Sequence, residues 1–175
     1  MEKKMRILGI DPGLQLCGYA CMEIIADNVK LIEAGVFRTD AGLAIETRLN
    51  QIADDMNALL KKFQPDLVAV EELYSHYAHP KTAILMGHAR GVILHKAAQS
   101  AVKVKSFSAT RIKKSITGNG RASKQQVQRT IQTILSLPEL PEPNDVADAI
   151  AVALCCANTR SFALQDMAKG PVRTL

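Results

Sequence analysis

The chain has 175 residues, 47% of them hydrophobic and 22% charged, with a net charge of +5. That length suits one domain with a sizeable core, and the absence of any run of 18 apolar residues excludes a helical membrane span. Met1 to Met5 lead straight into an apolar run with no signal-type segment, so the expected location is cytoplasmic. Cys17, Cys21, Cys155 and Cys156 fit neither a zinc spacing nor a secreted disulfide framework, and are expected to be reduced, mostly buried thiols.

The charge is segregated along the chain. Between Leu73 and Pro138 there is no Asp or Glu, yet the stretch holds Lys81, Arg90, Lys96, Lys103, Lys105, Arg111, Lys113, Lys114, Arg121, Lys124 and Arg129, with His76, His79, His88 and His95. Such a block suggests a basic surface for a polyanion. The plainer reading is a set of solvated helix faces.

In chain order, Ile7, Leu8 and Ile10 form a short apolar run that suits a buried strand, and Pro12-Gly13 stops it. Asp11 therefore stands where a strand leaves the core. It is either an ordinary turn aspartate or one member of a site. Cys17 to Ile25 and Val29 to Arg38 read as two further strands joined by a turn at Asp27-Asn28. Val29, Leu31, Val36 and Phe37 are candidates for the inner side, and the three strands read as consecutive and antiparallel. Ile45, Leu49, Ile52, Met56, Leu59, Leu60 and Phe63 recur at helical spacing, predicting an amphipathic helix over 44–63 that ends at Gln64-Pro65. Leu67 to Val70 is wholly apolar, as a central strand reached by a helical crossover should be, and it ends in Glu71-Glu72. This repeats the first strand's design. Neighbouring parallel strands would bring Asp11 and Glu71 to one sheet edge, where sites form in open α/β sheets.

Leu73 to Pro80 is expected to be a loop whose Tyr74, His76, Tyr77 and His79 either stack on unpaired bases or fold on themselves. Lys81 to Gln99 reads as a long helix, apolar on more than one face, with Gly87 and Gly91 allowing close approach. That pattern fits a helix between the sheet and a second subunit, or simple core packing. Val102 to Phe107 is a short strand near a sheet edge. Ser108 is placed to cap a helix carrying Arg111, Lys113 and Lys114, and Gly118-Asn119-Gly120 is a turn. Ser123 and Gln126 have capping-box spacing ahead of a helix whose inner face is Val127, Ile131, Ile134 and Leu135. Two helix starts flanked by basic residues make a phosphate-contact zone. Asn144 or Asp145 opens a last helix, almost wholly apolar, with Asp145 and Asp148 on one face of its first turn. Complementing the helix dipole explains Asp145 well and Asp148 less well.

The elements predict an α/β domain over residues 1–160, with a five-stranded mixed sheet (three antiparallel strands, then two parallel) flanked by helices. Residues 161–175 are left as a C-terminal tail. Four carboxylates, Asp11, Glu71, Asp145 and Asp148, stand at the ends of elements. Clustered, they repel one another unless cations neutralise them. Hard oxygen ligands suit Mg²⁺ or Mn²⁺, and two such ions about 4 Å apart suit phosphodiester hydrolysis. An acidic site in a basic surround reads as a metal-dependent nuclease.

Several segments together resemble the RuvC-type Holliday-junction resolvases, within the ribonuclease H-like superfamily. They are Ile7-Leu8-Gly9-Ile10-Asp11-Pro12-Gly13, Phe63-Gln64-Pro65-Asp66, Val70-Glu71, Gly87-His88-Ala89-Arg90-Gly91, Gly118-Asn119-Gly120, Lys124 with Gln126-Val127-Gln128, and Asp145-Val146-Ala147-Asp148-Ala149. The resemblance implies a ribonuclease H-like fold and a homodimer that nicks a four-way DNA junction symmetrically in recombination and repair. It implies a branch-migration motor of the RuvA and RuvB type as partner. By position, Asp11, Glu71, Asp145 and Asp148 match the family's metal-binding carboxylates. Tyr74 matches an aromatic near the exchange point, and Lys113 and Lys124 match basic residues near the scissile phosphate. Lys124 is grouped with the carboxylates as catalytic. Arg90, Arg111, Lys114 and Arg121 join Tyr74, Lys113 and Lys124 as expected DNA contacts. Tyrosine at 74 in place of phenylalanine, histidine at 88 and the individual loop at 75–79 depart from the familiar pattern and bear on sequence preference. The alternatives are a non-catalytic junction-binding module and a related nuclease acting on RNA or other branched DNA. A kinase or ATPase of the actin type needs a duplicated domain that this length does not hold.

Overall fold

The computed structural model describes residues 4–26, 28–73 and 80–168, excluding the side chains of Pro80 and of 160–168. Tyr74, His76, Tyr77 and His79 lie outside the described residues. Five strands and five helices follow in the order β1 (Met5–Asp11), β2 (Leu16–Ile25), β3 (Asn28–Arg38), α1 (Ile45–Phe63), β4 (Leu67–Glu71), α2 (Pro80–Gln99), β5 (Lys103–Phe107), α3 (Ala109–Thr117), α4 (Lys124–Leu135) and α5 (Asn144–Ala168). Among the described residues, no helix is long and apolar enough to cross a membrane.

The sheet runs β3-β2-β1-β4-β5. β1, β2 and β3 pair antiparallel, while β4 lies parallel to β1 and β5 parallel to β4. This is the predicted sheet, with β5 at an edge as expected.

Strand alternation sorts the side chains into two cores. Leu8, Ile10, Cys17, Cys21, Val68 and Val70 face α1 and α2, where Ile52, Met56, Leu60, Phe63, Ala89 and Ile93 cover them. Ile7, Ala20, Met22, Leu67, Ala69 and Phe107 face α5, which is backed in turn by Ile112 and Ile116 of α3 and by Val127 and Ile131 of α4. Period two then decides where the strand-end acids stand. Asp11 follows Ile7 and Gly9 on the α5 side, and Glu71 follows Leu67 and Ala69 there too.

Apart from Asp148, which faces the cleft, α5 is buried from Val146 to Ala157 because it lies between the sheet and the α3–α4 pair. Its alanines meet small residues below. A β-carbon at Gly9 would fall on the Ala149 carbonyl, and one at Gly18 on the Asp145 carbonyl. The helix can therefore rest against the strand backbones only because these two positions lack side chains. α5 continues to Ala168, past the expected domain end at residue 160.

Local signals are realised closely. The Ser108 hydroxyl accepts from the Arg111 amide to cap α3, and Ser123 with Gln126 forms the full capping box of α4. All four cysteines are buried, as expected. One expectation needs correction. Ile134 is 49% exposed, while Val127 and Ile131 are buried and Leu135 packs partly buried against the same core. The inner face of β3 changes parity midway. A bulge opposite Cys21 and Met22 leaves Ile32 exposed and puts Val29, Leu31, Ala34 and Val36 on the α5 side, with Phe37 on the other.

Replacing Gly18 by Ala is expected to destabilise the fold by roughly 1–3 kcal/mol, the usual range for overpacking. A thermal melt measures the loss, and a native-like midpoint would show that α5 does not depend on this close seat.

Candidate active site

The cleft lies where β1 and β4 end and α5 begins. The β1–β4 ladder stops at the Ile10–Val70 pair, so Asp11 and Glu71 emerge side by side from adjacent parallel strands. Asp145 and Asp148 sit in the opening turns of α5, whose backbone meets β2 at Gly18, the residue paired with Asp11. Asp11, Glu71 and Asp148 line a cavity of about 290 Å³ together with Lys113 and Lys124, walled by Met86, Ile112, Val127 and Ala151. Asp145 is adjacent, close enough for its charge to act on Asp11 and Asp148.

Burial and mutual repulsion dominate the electrostatics. Asp11 is pushed up to about 8, first by burial and then by Asp148, Glu71 and Asp145, with Lys124 opposing. Glu71 rises to about 7, chiefly through burial and then Asp148, against Lys124 and Lys113. Asp148 is raised by burial despite Lys124, whose Nζ lies 3.3 Å from its Oδ2. The same contact raises Lys124. Asp148 is the one member of the four with an ion pair among the described residues. No three His, Cys, Asp or Glu side chains among the described residues are already drawn up close enough to hold a single ion. The donor set nevertheless fits hard divalent cations: carboxylate oxygens only, crowded enough that Asp11 and Glu71 retain protons near neutrality.

Second contacts fix each acid-bearing end. Behind Asp11, Thr39 donates to the Leu14 carbonyl at 2.6 Å and accepts from Arg48 Nε at 2.9 Å, tying the turn to β3 and α1. Before α5, the Gln128 amide donates to Asn144 Oδ1 at 3.0 Å and to the Pro141 carbonyl at 3.3 Å. Neither support was legible from residue type. Gln128 stands within a quoted family segment, but its role depends on a segment 13 to 16 residues away.

The basic residues divide. Lys113 and Lys124 line the acidic cleft. Arg111 and Lys114, expected in the same zone, line a separate groove of about 400 Å³ with Ser115, Cys155, Asn158 and Thr159, because successive α3 residues point to different sides. Arg111 also lies over the Phe107 ring. Arg121 is exposed beside the Gly118–Gly120 turn. Arg90, expected on the DNA surface, is instead half-buried: its guanidinium donates to the Glu71 carbonyl and to Ser106. A main-chain acceptor at a strand end draws it inward.

Without divalent cations, the folded chain holds protons on Asp11 and Glu71 that the unfolded chain has released. Their contribution to stability is therefore full below the ordinary carboxylate value of about 4 and is lost as pH rises toward 8. Melts in a chelating buffer should show this decline, Asp11→Asn should flatten it, and Mg²⁺ should restore the native chain near pH 8. Rising stability over that range without metal would contradict the crowding.

Comparison with known proteins places these features. The family model described as "Crossover junction endodeoxyribonuclease RuvC" matches residues 7–156. A crossover junction endodeoxyribonuclease RuvC of Desulforamulus reducens is 43% identical over 157 residues, covering 90% of this chain and 96% of that protein. The Thermus thermophilus RuvC structure superposes with a TM-score of 0.83 at 30% identity, covering 91% of this chain and 97% of that one. The same protein in complex with a Holliday junction substrate gives 0.85 at 31%, covering 91% and 96%. The chain therefore belongs to the RuvC family of crossover junction endodeoxyribonucleases.

Proposed function

We propose that this protein is a structure-specific endonuclease that resolves four-way DNA junctions by paired, symmetric nicks, acting on chromosomal DNA in the cytoplasm during recombination and repair. The observation that carries the reading is the acidic cleft at the ends of β1 and β4, rimmed by Lys113 and Lys124, in a chain of this family. The relative solved with a Holliday junction substrate supports the same substrate here.

Asp11, Glu71, Asp145 and Asp148 are the residues that would hold divalent cations, two per site, with Mg²⁺ favoured and Mn²⁺ a substitute. When bound, such ions supply activation of a water for in-line attack and stabilisation of the leaving oxygen. The chain's own part is to hold four carboxylates against their repulsion and to bring cationic side chains to the phosphate. Lys124, from the first turn of α4, offsets charge building on the phosphate, with Lys113 beside it. Arg111, Lys114 and Arg121 lie farther out and suit backbone contacts along the junction arms. Tyr74 keeps its expected role at the exchange point as a proposal from family position.

A homodimer provides the second active site that paired nicks require. α2 suits the interface: Ile84 is 61% exposed, and Gly91 has open space where a side chain would be. A branch-migration motor of the RuvA and RuvB type is the further partner the family implies.

Cleavage of a mobile synthetic junction tests the proposal. The native chain should make paired nicks with Mg²⁺ and none without it. Asp11→Asn should abolish cleavage while retaining junction binding, since it removes a cation-holding carboxylate but none of the basic side chains that face the phosphates. Tight binding with no nicks under any divalent metal would favour a junction-binding module. Lys124→Ala should slow cleavage by roughly 100-fold, as loss of a group stabilising developing charge does, with a smaller loss of binding. Equal losses in both would make Lys124 a DNA-positioning residue only.

A further inference from the structure

Arg90 reaches from α2 to the ends of β4 and β5. Its Nε donates to the main-chain carbonyl of Glu71 at 3.2 Å, and its Nη2 donates to Ser106 Oγ at 2.8 Å. These contacts fall where the sheet divides. On one side, β4 stays paired with β5 through Glu71 and Phe107, and the Glu72 amide donates to the Phe107 carbonyl at 2.9 Å. On the other, the β1–β4 ladder has ended one residue earlier, at Ile10 and Val70. Glu71 is thus held along one edge and released along the other. A carboxylate on such a strand end is only as well placed as the backbone beneath it. Arg90 grips that backbone, and Ser106 fixes the other arm of the same guanidinium.

The guanidinium does not act as the carboxylate's counter-charge. The cations that offset the Glu71 side chain are Lys124 and Lys113. Two of the Arg90 nitrogens are committed to partners within the protein. Only a planar fork spans a carbonyl and a hydroxyl at once; a lysine ammonium is a single point charge on a flexible stem.

We infer that Arg90 is a positioning residue: by clamping the Glu71 carbonyl against Ser106 it fixes where the Glu71 carboxylate stands in the cleft. This rests on the reading of Glu71 as a cation-holding residue. It also makes α2, whose outer face carries exposed Ile84, directly continuous with the catalytic edge of the sheet.

The test compares native chain, Arg90→Lys, Ser106→Ala, Glu71→Gln and the Arg90→Lys/Glu71→Gln double variant. Three quantities are measured on each: junction affinity without metal, single-turnover cleavage of bound junction, and Mn²⁺ affinity by direct titration calorimetry without DNA. Arg90→Lys should bind the junction as the native chain does, cleave it roughly 10- to 100-fold more slowly, as a misplaced reacting group does, and bind Mn²⁺ more weakly. Ser106→Ala should move cleavage and Mn²⁺ affinity in the same direction by less. In the Glu71→Gln background, Arg90→Lys should cost no further Mn²⁺ affinity, since coupled residues are not additive. Native cleavage and native Mn²⁺ affinity in Arg90→Lys would overturn the inference, as would a fall in junction affinity matching the fall in cleavage. Should circular dichroism show that Arg90→Lys does not fold, Ser106→Ala decides alone, and native values there overturn it. A fully active Glu71→Gln would instead overturn the site reading beneath it, whereas an inactive Glu71→Gln beside a native-like Arg90→Lys would overturn the role of Arg90 alone.

Discussion

Four carboxylates gathered at one end of a sheet are the constraint that the rest of this molecule serves. Asp11 and Glu71 leave the core side by side, Asp145 and Asp148 arrive from a buried helix, and burial and repulsion act in the same direction on Asp11. A chain free to relax would separate them. It does not, because each acid is anchored by an element that cannot move without emptying a core. β1 and β4 are central strands packed on both faces, and α5 is enclosed between the sheet and the α3–α4 pair. Core packing offsets the electrostatic cost of holding these acids together.

The close seat of α5 carries that arrangement. Gly9 and Gly18 bring its backbone against β1 and β2, and the alanines at 149 and 153 complete the contact. Larger residues there would lift the start of the helix and carry Asp145 and Asp148 away from Asp11. Around this seat stand separate ties: Thr39 and Arg48 behind the turn after Asp11, Gln128 ahead of α5, and Arg90 beneath Glu71. Each joins an acid-bearing segment to a different helix. The scaffold thus fixes the site from several directions rather than through one loop.

The acid-free stretch from Leu73 to Pro138 supplies the opposite charge, and the fold apportions it. Lys113 and Lys124 come to the cleft, Arg111 and Lys114 to the groove between α3 and α5, and Arg90 to the interior. Residues of one sign that look alike in sequence therefore do three different things. Proximity to the carboxylates separates Lys113 and Lys124 from the other cations.

Much of this was already written in the chain, because the signals concerned are local. An apolar run stopped by Pro12-Gly13, or ended by Glu71-Glu72, marks a strand that finishes in an acid whatever else surrounds it. Ser108 and Ser123 satisfy amides only three residues away. The order and spacing of the family segments likewise pointed to the sheet that is found. What the sequence could not contain was anything settled between distant segments. Helical spacing marked Ile134 as inward, but which side chains of α4 are covered is set by its neighbours in the fold. The β3 bulge changed the parity of its inner face through pairing with β2. Arg90 carried a charge that suggested solvent, and a strand-end carbonyl 19 residues away drew it inside. Sequence alone thus determined the elements and the acids at their ends, because strand alternation, stop residues and caps act over a few residues. Tertiary structure decided which groups face the same cleft and which basic residues remain free, because those outcomes depend on backbones meeting across the fold.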